Sequence, residues 1–561
     1  MKVKVRHEGL RAGVLLLLLL LLLSPVLQVQ AWERKGVTLS GSIRSDMLVP
    51  RHDSGTGAEK TGSFLNNTYA DLLMQSEYVD AGARFEFLEY PLPGFEKDFE
   101  GWGVPHFWMK GKMGKAELTV GTFYEQFGSG FILRTYEERS LGIDNSLLGG
   151  RVTARPWRGV TLKALSGVQR RYWDWNDALV SGADTEIGLE EFFPLLKKKD
   201  VGIMLGGSWV NRYEKNDEKI YLSPIYRLRF PKFVNAWDVR AGFNRGAWSV
   251  LAEYARKSDD PSYANGYIYR NGSAAMLSGS YSGKGLSVLL QAKRSEDMSF
   301  KSTGEVAKAI GISSALNHLP AFTQDQTYAL AALYPYATQL AGGEWAYQAE
   351  LGYNFRRKTA LGGRYGMNVK ANLSYIRAID KQLPEGDDLM AKTGGYTSKF
   401  FRWGDETYYR SIDVTLTRKL SKAFKLSLMF LNQQYNQTVV EGHGGTIHTN
   451  ACIADGKYQF SPKVTLRGEL QYLTTKQDQG DWAFALLELS LAPHWMLTAS
   501  DMWNCGETGL HYYQGLVTLN IGQHRLQGGY GRTRAGYNCS GGVCRYVPAS
   551  TGFTLSYNYN F

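Results

Sequence analysis

The chain has 561 residues, with 64 Lys and Arg against 53 Asp and Glu, and hydrophobic residues make up 43% of it. Beyond the N-terminal segment, no apolar run reaches the roughly 20 residues that a membrane-spanning helix needs, which excludes a helical membrane protein. No Lys/Arg run with interleaved aromatics suggests nucleic-acid binding. The 62 Gly and 13% aromatic residues are instead typical of a transmembrane β-barrel, whose strands hide their apolar face in alternation.

Residues 1–31 have the features of a secretory signal peptide. A basic start precedes the ten apolar residues Val14–Leu23, and Val29-Gln30-Ala31 offers a cleavage site. The sequence therefore predicts an exported protein and excludes cytosolic enzymes. The remaining residues, 32–561, are predicted to form one barrel domain, because no linker or charge block divides them.

The last residues show the clearest strand pattern. Large apolar or aromatic residues stand at every second position from Phe553 to Phe561, with Thr, Ser or Asn between them. A period of two with one apolar and one polar face predicts a strand between lipid and a wet lumen, although an ordinary amphipathic edge strand shares this pattern. The terminal Phe561 resembles the signal that the outer-membrane barrel assembly machinery reads, so we expect that machinery as a partner.

The links between strands predict the size and interior of the barrel. Twelve longer links, including 127–146, 174–184 and 297–342, are interpreted as external loops, but only eight periplasmic turns can be named. We predict an all-β, antiparallel transmembrane barrel of about 24 strands, within roughly 20 to 26. The first strand is predicted near Gly36, which leaves no room for the N-terminal plug of a TonB-dependent receptor. Inward-folded loops should therefore narrow the lumen, and Glu305–Leu319 could form a lumenal or a surface helix.

The segment Thr122–Asn145 is the strongest candidate for a functional site. Porins fold an external loop inward, where opposed charges create a transverse field and polar contacts for solutes. We therefore predict a constriction or solute-contact site here. The alternative is a structural ion-pair cluster that holds the loop against the wall. The candidate residues are Glu125, Arg134, Tyr136, Glu137, Glu138 and Arg139.

Two other groups are interpreted less specifically. The rings of Tyr334-Pro335-Tyr336 could stack on sugars, but an aromatic girdle at the membrane interface is favoured. The charges of Glu253, Lys257, Asp259 and Asp260 stand at the outer end of a strand, where a solvated rim is the favoured interpretation.

The cysteines lie in the last quarter of the chain. Cys539 and Cys544 bracket four residues of an external loop, which predicts a disulfide in an exported protein. Cys505 is a rival partner for either of them. Cys452 has the parity of a lipid-facing, unpaired thiol.

Nothing in the sequence indicates an enzyme, a metal site or a cofactor. There is no HExxH motif or nucleophile elbow, and the His443 loop lacks further identifiable ligands. The charged lumenal face and the loop at Gly128 favour a passive or substrate-selective, porin-like channel in the cell outer membrane. The alternative is a scaffolding barrel of a secretion or surface-assembly complex. The expected partners are membrane lipid and lipopolysaccharide, whose phosphates a basic rim would bind.

Four features carry a resemblance to a known group of proteins. They are the long segment FYEQFGSGFILRTYEERSLGIDN, the segment YALAALYPYATQ, the hairpin FSPKVTLRGELQYL and the terminal Phe. Together they resemble an uncharacterised (domain-of-unknown-function) family of outer-membrane barrels from Bacteroidota, over residues 36–561. The resemblance implies the fold and the location. It implies no activity and no site residue.

Overall fold

The computed structural model of the chain contains a closed, antiparallel barrel of 24 strands. It describes residues 32–34, 36–305, 308, 314–319, 321–336, 342–384, 394–540 and 543–561. The predicted signal peptide lies outside the described residues. Among the helices of this described part, none is long and apolar enough to cross a membrane.

The barrel strands follow one another around the wall in chain order, and β1 closes the ring by pairing with β24 from Ser42↔Asn560 to Pro50↔Gly552. The strands are β1 Val37–Pro50, β2 Leu65–Gln75, β3 Val79–Tyr90, β4 Gly101–Met113, β5 Ala116–Phe123, β6 Leu147–Ala154, β7 Val160–Arg171, β8 Asp174–Gly188, β9 Val201–Tyr213, β10 Phe233–Arg245, β11 Trp248–Lys257, β12 Gly272–Gly283, β13 Leu286–Glu296, β14 Glu344–Phe355, β15 Met367–Ile379, β16 Trp403–Lys419, β17 Phe424–Asn436, β18 Thr446–Ser461, β19 Val464–Thr474, β20 Trp482–Leu491, β21 Trp495–Asn504, β22 His511–Ile521, β23 His524–Thr533 and β24 Ser550–Asn560.

Short elements lie outside the barrel wall. The helical ones are the 3-10 helices Lys97–Phe99, Arg139–Leu141, Leu189–Glu191 and Tyr263–Asn265 and the α-helices Pro194–Lys198 and Gln437–Glu441. The extended ones are Trp32–Arg34, which pairs with β1, and two small hairpins, Glu137–Glu138 with Ile143–Asp144 and Gly536–Ser540 with Val543–Val547.

The two ends of the barrel differ in the length of their links. The start of β1 and the end of β24 lie at one end, here called the turn side, and the opposite end is called the loop side. Eight turn-side links were predicted from the sequence. The structure adds the remaining three, which are residues 76–78, 189–200 and 356–366. The predicted loop at 174–184 is wrong, because these residues belong to β8, which β7 reaches through Tyr172 and Trp173. In the sequence, residues 174–184 look like a loop because several of their polar side chains face the lumen.

Alternation along each strand separates the two faces of the wall. In β5, Leu118 and Val120 are exposed on the outside, whereas Thr119 between them is buried inside. The same pattern places Val414 and Leu416 of β16 outside and Asp413 inside. An apolar band on the outer face of the wall is the arrangement that a lipid-embedded barrel requires.

The hydrophobic core of the protein lies inside the barrel. Two segments from the loop side enter the lumen: the inward loop, residues 124–146, and the plug segment, residues 297–336 in its described parts. Their apolar side chains pack against small inward-facing wall residues such as Ala236, Ala255 and Ala346. The prediction of inward-folded loops is confirmed. Of the helix predicted at Glu305–Leu319, residues 306–307 and 309–313 lie outside the described residues, and residues 314–319 are not helical, since the Leu316 N–H donates instead to the Phe300 carbonyl.

Candidate lumenal site

The inward loop turns back on itself at two glycines. Gly128 and Gly130 have φ values of 51° and 92°, which favour glycine because a Cβ is strained there. A Cβ at Gly128 would lie 2.7 Å from a carboxylate oxygen of Glu253 on β11. That carboxylate accepts hydrogen bonds from the Ser129 N–H at 3.2 and 3.0 Å. The turn is therefore held on the wall by a close backbone approach that glycine permits.

The acidic and basic groups around Glu253 are mostly buried, so the predicted solvated rim is wrong. Lys257 lies 3.2 Å from Asp260, which also pairs with Arg212 at 2.9 Å, and only Asp259 is exposed. Burial raises the pKa of Asp260, but the two cations outweigh it and hold this pKa below its usual range. The inward segments cover this part of the wall and exclude the water that a rim would have.

The plug segment and the inward loop are joined to each other. The Asn317 amide nitrogen donates to the carbonyls of Phe131 at 2.8 Å and Met298 at 2.6 Å. Its oxygen accepts the N–H of Phe300 at 3.1 Å. The Arg134 N–H donates to a carbonyl of the plug segment at 2.7 Å. One buried asparagine thus uses most of its hydrogen-bonding capacity to connect two segments distant in sequence.

The tyrosines of the plug segment lie in the lumen, so the favoured prediction of a membrane-interface girdle is wrong for them. Tyr334 and Tyr336 are buried; Tyr334 donates to Asp478 at 2.8 Å and Tyr336 donates to Glu344. Burial and the Asp478 carboxylate raise the pKa of Tyr334 above its usual range. The rings are used for packing and anchoring on the inner wall.

The apolar core does not reach the whole circumference of the barrel. Its buried residues and those packed partly against it come from the two inward segments, from strands between β5 and β22 and, at Val440, from the helix Gln437–Glu441. Among the described residues, β23, β24 and β1 to β4 contribute none. We call these six strands the polar sector, because Arg44 and Asp46 of β1 and Asp71 of β2 point from it into the lumen, partly exposed.

A network of ion pairs lies where the polar sector meets the inward loop. We call it the lumenal cluster, and its members are Asp71, Arg84, Glu86, Glu137, Arg139, Asp144 and Arg170. Three guanidinium groups and four carboxylates give it a formal charge of −1 if all are ionised. Three wall strands and the inward loop therefore meet in one electrostatic unit.

The inner part of the lumenal cluster is almost completely buried. Arg170 pairs with Glu86 at 2.7 Å and with Asp144 at 2.6 Å. Arg84 reaches Asp71 at 2.7 Å and Glu137 at 2.6 Å. Removing one partner of such a buried ion pair is destabilising, because the other partner is left as a buried charge without compensation.

The outer part of the lumenal cluster is accessible to water. The side chains of Asp71, Glu137 and Arg139 are 28, 19 and 19% exposed. Arg139 links the two carboxylates, at 2.9 Å from Asp71 and 2.7 Å from Glu137, and its guanidinium lies over the ring of Tyr69. Both signs of charge are thus presented to the lumen on fixed side chains.

Burial and neighbouring charges shift the carboxyl groups of the inward loop in different directions. Burial raises the pKa of Glu137, although Arg84 and Arg139 oppose the effect. Burial also raises the pKa of Asp144, but Arg170 and Arg84 outweigh it and leave that pKa below its usual range. The Asp144 carboxyl is therefore ionised more readily than the Glu137 carboxyl.

The structure distributes the six predicted site residues over several places. Glu137 and Arg139 belong to the lumenal cluster. Glu125 pairs with Arg151 at 3.1 Å and Lys163 at 2.9 Å on the wall. The Arg134 guanidinium lies 5.0 Å from the centre of the Tyr136 ring. Glu138 accepts hydrogen bonds from Ser140 and Ser540.

The hairpin between β23 and β24 extends over the inward loop. The structure joins Cys539 and Cys544 by a disulfide, and Cys452 and Cys505 are free. Ser540 donates to Glu138 at 2.9 Å, and Arg545 donates to a carbonyl of the inward loop at 2.6 Å. The inward loop is thus in contact with a disulfide-linked strap, residues 536–540 and 543–547.

Sequence reasoning missed the wall partners of the lumenal cluster. Asp71, Arg84, Glu86 and Arg170 lie on three different strands, and only the folded wall brings them together. Their inward parity was a usable signal, because Arg84 and Glu86 alternate with apolar residues in β3. Among the described residues, no group of three or more His, Cys, Asp or Glu is placed to hold a metal ion.

Several solved structures are similar to this chain in outline. The siderophore receptor PirA from Pseudomonas aeruginosa has 9% identity and a TM-score of 0.41, covering 95% of this chain and 81% of its own. OccAB3 from Acinetobacter baumannii has 9% identity and a TM-score of 0.36, covering 94 and 99%. The translocation pore of the P pilus usher PapC has 10% identity and a TM-score of 0.40, covering 93 and 99%.

No curated protein matches the chain. A family of unknown function (DUF6029) matches residues 11–561. The match extends over nearly all of the chain, including every strand of the barrel and both inward segments. The chain therefore belongs to this family of unknown function.

Proposed function

We propose that this protein is a substrate-selective channel whose solute path runs along the polar sector. The observation that carries the proposal is the outer part of the lumenal cluster. Asp71, Glu137 and Arg139 are water-accessible and held in place beside the polar sector, whose six described strands contribute no residue to the apolar core. A fixed set of opposed charges beside a wet passage is the arrangement that selects among polar solutes.

The buried half of the lumenal cluster supports the exposed half. Arg84 binds Asp71 and Glu137, and Arg170 holds the carboxylates behind them. The exposed groups therefore keep their geometry when a solute passes, and no reorganisation is needed to present them. Arg44 and Asp46 continue the charged surface along β1.

The cell outer membrane is the proposed location, with the turn side facing the periplasm. The apolar outer band supports contact with membrane lipid, and the loop-side rim would meet lipopolysaccharide. Phe561 lies at the β1–β24 seam, where its N–H donates to the Gly41 carbonyl at 2.9 Å. A terminal aromatic residue at this closing seam supports recognition by the barrel assembly machinery. An origin in Bacteroidota remains a prediction from the resemblance.

Ion selectivity in planar bilayers tests the channel proposal. We expect the refolded wild type to give discrete current steps. Arg139→Ala should shift the reversal potential in the direction of cation selectivity, because it removes a positive charge from the path. Glu137→Gln removes a negative charge and should shift it in the direction of anion selectivity. Arg155→Ala is the matched control, since it removes an exposed Arg that directly follows the turn-side end of β6. Absence of current, or equal shifts in Arg139→Ala and the control, would contradict the proposal.

A scaffolding barrel is the second candidate. The observation that favours it is the extent of the apolar core, whose members come from both inward segments and from wall strands between β5 and β22. A barrel that holds other proteins needs a rigid interior and no passage. Purification in mild detergent tests it, and recovery of this chain alone would weaken it.

A further inference from the structure

The turn-side link between β8 and β9 is unusual in exposing large apolar side chains. It covers residues 189–200, whereas neighbouring links such as 246–247 contain two residues. Phe192, Phe193 and Leu195 are 48, 55 and 62% exposed, and Pro194 between them is exposed too. Four consecutive exposed apolar residues indicate a surface that another phase or molecule covers.

Hydrogen bonds at its base fix this link to the barrel rim. The Gly188 N–H donates to the Gly159 carbonyl at 2.7 Å, which ties the link to the neighbouring turn. The Glu190 carboxylate accepts the Ile203 N–H at 3.1 Å at the start of β9. The link is therefore anchored on both sides. Its apolar residues stay at the level of the rim.

The apolar surface of the link continues the lipid-facing surface of the barrel. Exposed apolar side chains occupy the turn-side ends of the strands and turns on both sides of it: Trp157 before β7, Leu205 on β9, Phe243 on β10 and Trp248 on β11. Aromatic residues at this level form the girdle that contacts lipid headgroups in membrane barrels. The link lies between them.

The link also carries a compact positive charge. Lys197, Lys198 and Lys199 directly follow the apolar residues, and all three are exposed. Lys197 lies 3.2 Å from Glu191, which leaves the other two without a carboxylate partner within the link. Apolar side chains followed by lysines are the combination that binds an anionic phospholipid surface.

We propose that residues 192–199 insert into the periplasmic leaflet, with Phe192, Phe193 and Leu195 among the acyl chains and the lysines on anionic phosphate headgroups. The occupant is phospholipid, since the surface continues the lipid-facing band and its charge complements such headgroups. The inference rests on the proposed membrane orientation of the barrel, but it does not depend on conduction.

Lipid retention and hydrogen exchange in nanodiscs test this inference. The full chain is assembled in phosphatidylcholine alone and in phosphatidylcholine containing a quarter phosphatidylglycerol. We expect phosphatidylglycerol to slow amide exchange in residues 189–200. Lys197→Gln/Lys198→Gln/Lys199→Gln should retain about tenfold less phosphatidylglycerol per barrel in native mass spectrometry. The control Lys215→Gln/Lys219→Gln/Lys232→Gln removes three exposed lysines from the loop side and should retain it as the wild type does.

A second variant separates the apolar contribution. Phe192→Ser/Phe193→Ser/Leu195→Ser should exchange amides in residues 189–200 equally fast in both lipid mixtures, while the barrel strands stay protected. Equal retention of phosphatidylglycerol by the two lysine variants would overturn the inference. Amide exchange in wild-type residues 189–200 that is the same in both lipid mixtures would overturn it as well. Neither result would affect the channel proposal, because current is measured separately. A barrel that conducts without lipid preference would refute only the phospholipid site.

Discussion

Two regions of the same barrel wall differ in what their inward-facing side chains do. Between β5 and β20, these side chains are often Ala or Val and pack against the inward segments in a dry core. In the polar sector they include Arg44, Asp46 and Asp71, and they remain partly exposed. Strand alternation is the same in both regions. The comparison teaches that alternation defines which face is inside, whereas coverage by the inward segments decides whether that face is dry.

Residue volume explains where the inward segments bind. Small wall residues such as Ala236, Ala255 and Ala274 leave room for the fully buried Phe127 and Phe131 of the inward loop. Charged wall residues would instead lose their hydration beneath an apolar segment, at a cost of several kcal/mol for each unpaired ion. The inward loop therefore meets the polar sector through its own Glu137 and Arg139.

The largest expected effect comes from the apolar region. Phe131→Ala removes a fully buried ring from the dry core, so we expect the free energy of unfolding to fall by about 3–5 kcal/mol. Urea denaturation of the refolded barrel in lipid vesicles measures this loss. Phe553→Ala, at an exposed outward position of β24, is the control and should lose less. Equal losses would mean that the lumenal core is not packed as described.

The connection between the two inward segments should have the next largest effect. Asn317→Ala leaves the buried carbonyls of Phe131 and Met298 and the N–H of Phe300 without this partner. We expect a loss of about 1–3 kcal/mol in the same denaturation experiment. Asn368→Ala removes an exposed amide bonded to Asn354 and should change stability by under about 0.5 kcal/mol. An Asn317→Ala variant as stable as the wild type would show that the inward loop and the plug segment are held independently.

The lumenal cluster should make stability depend on pH. Because Arg170 and Arg84 lower the folded-state pKa of Asp144, its ionised form stabilises the barrel above the ordinary unfolded pKa. This contribution is lost as the pH falls through the folded-state value. The Asp144→Asn variant lacks this contribution. The difference in unfolding midpoint between the wild type and the variant should therefore shrink as the pH falls below about 5. A difference that is constant with pH would contradict the ionised pairing of Asp144.

The smallest expected change in stability concerns the strap over the polar sector. Arg545→Ala removes the hydrogen bond to the inward loop, and we expect a loss of under about 1 kcal/mol. The unitary conductance should nevertheless rise, because the strap would contact the inward loop less firmly. Lys60→Ala, an exposed substitution in the first loop, serves as the control in the same single-channel recordings. A conductance equal to that of the wild type would mean that the strap does not limit the path.

The sequence predicted the barrel well because alternation and link length are local properties. The strand count of 24 followed from them, while β8 was read in part as a loop because Asp174, Asn176 and Asp177 lack apolar character. The site was harder to predict. Glu137 and Arg139 stood in a recognisable segment, but their partners Asp71 and Arg84 depend on wall neighbours. Tyr334 and Tyr336 were assigned to the membrane interface because rings alone do not indicate which side of the wall they occupy.

The most direct test of the central claim is block of the current by thiol modification at single introduced cysteines. In a Cys452→Ser/Cys505→Ser background, Asp71→Cys places a thiol in the polar sector and Leu330→Cys places one in the dry core. We predict that a charged methanethiosulfonate reagent reduces the current through the Asp71→Cys channel within seconds to minutes and leaves the Leu330→Cys channel unchanged. Block at Leu330→Cys with none at Asp71→Cys would contradict a solute path along the polar sector.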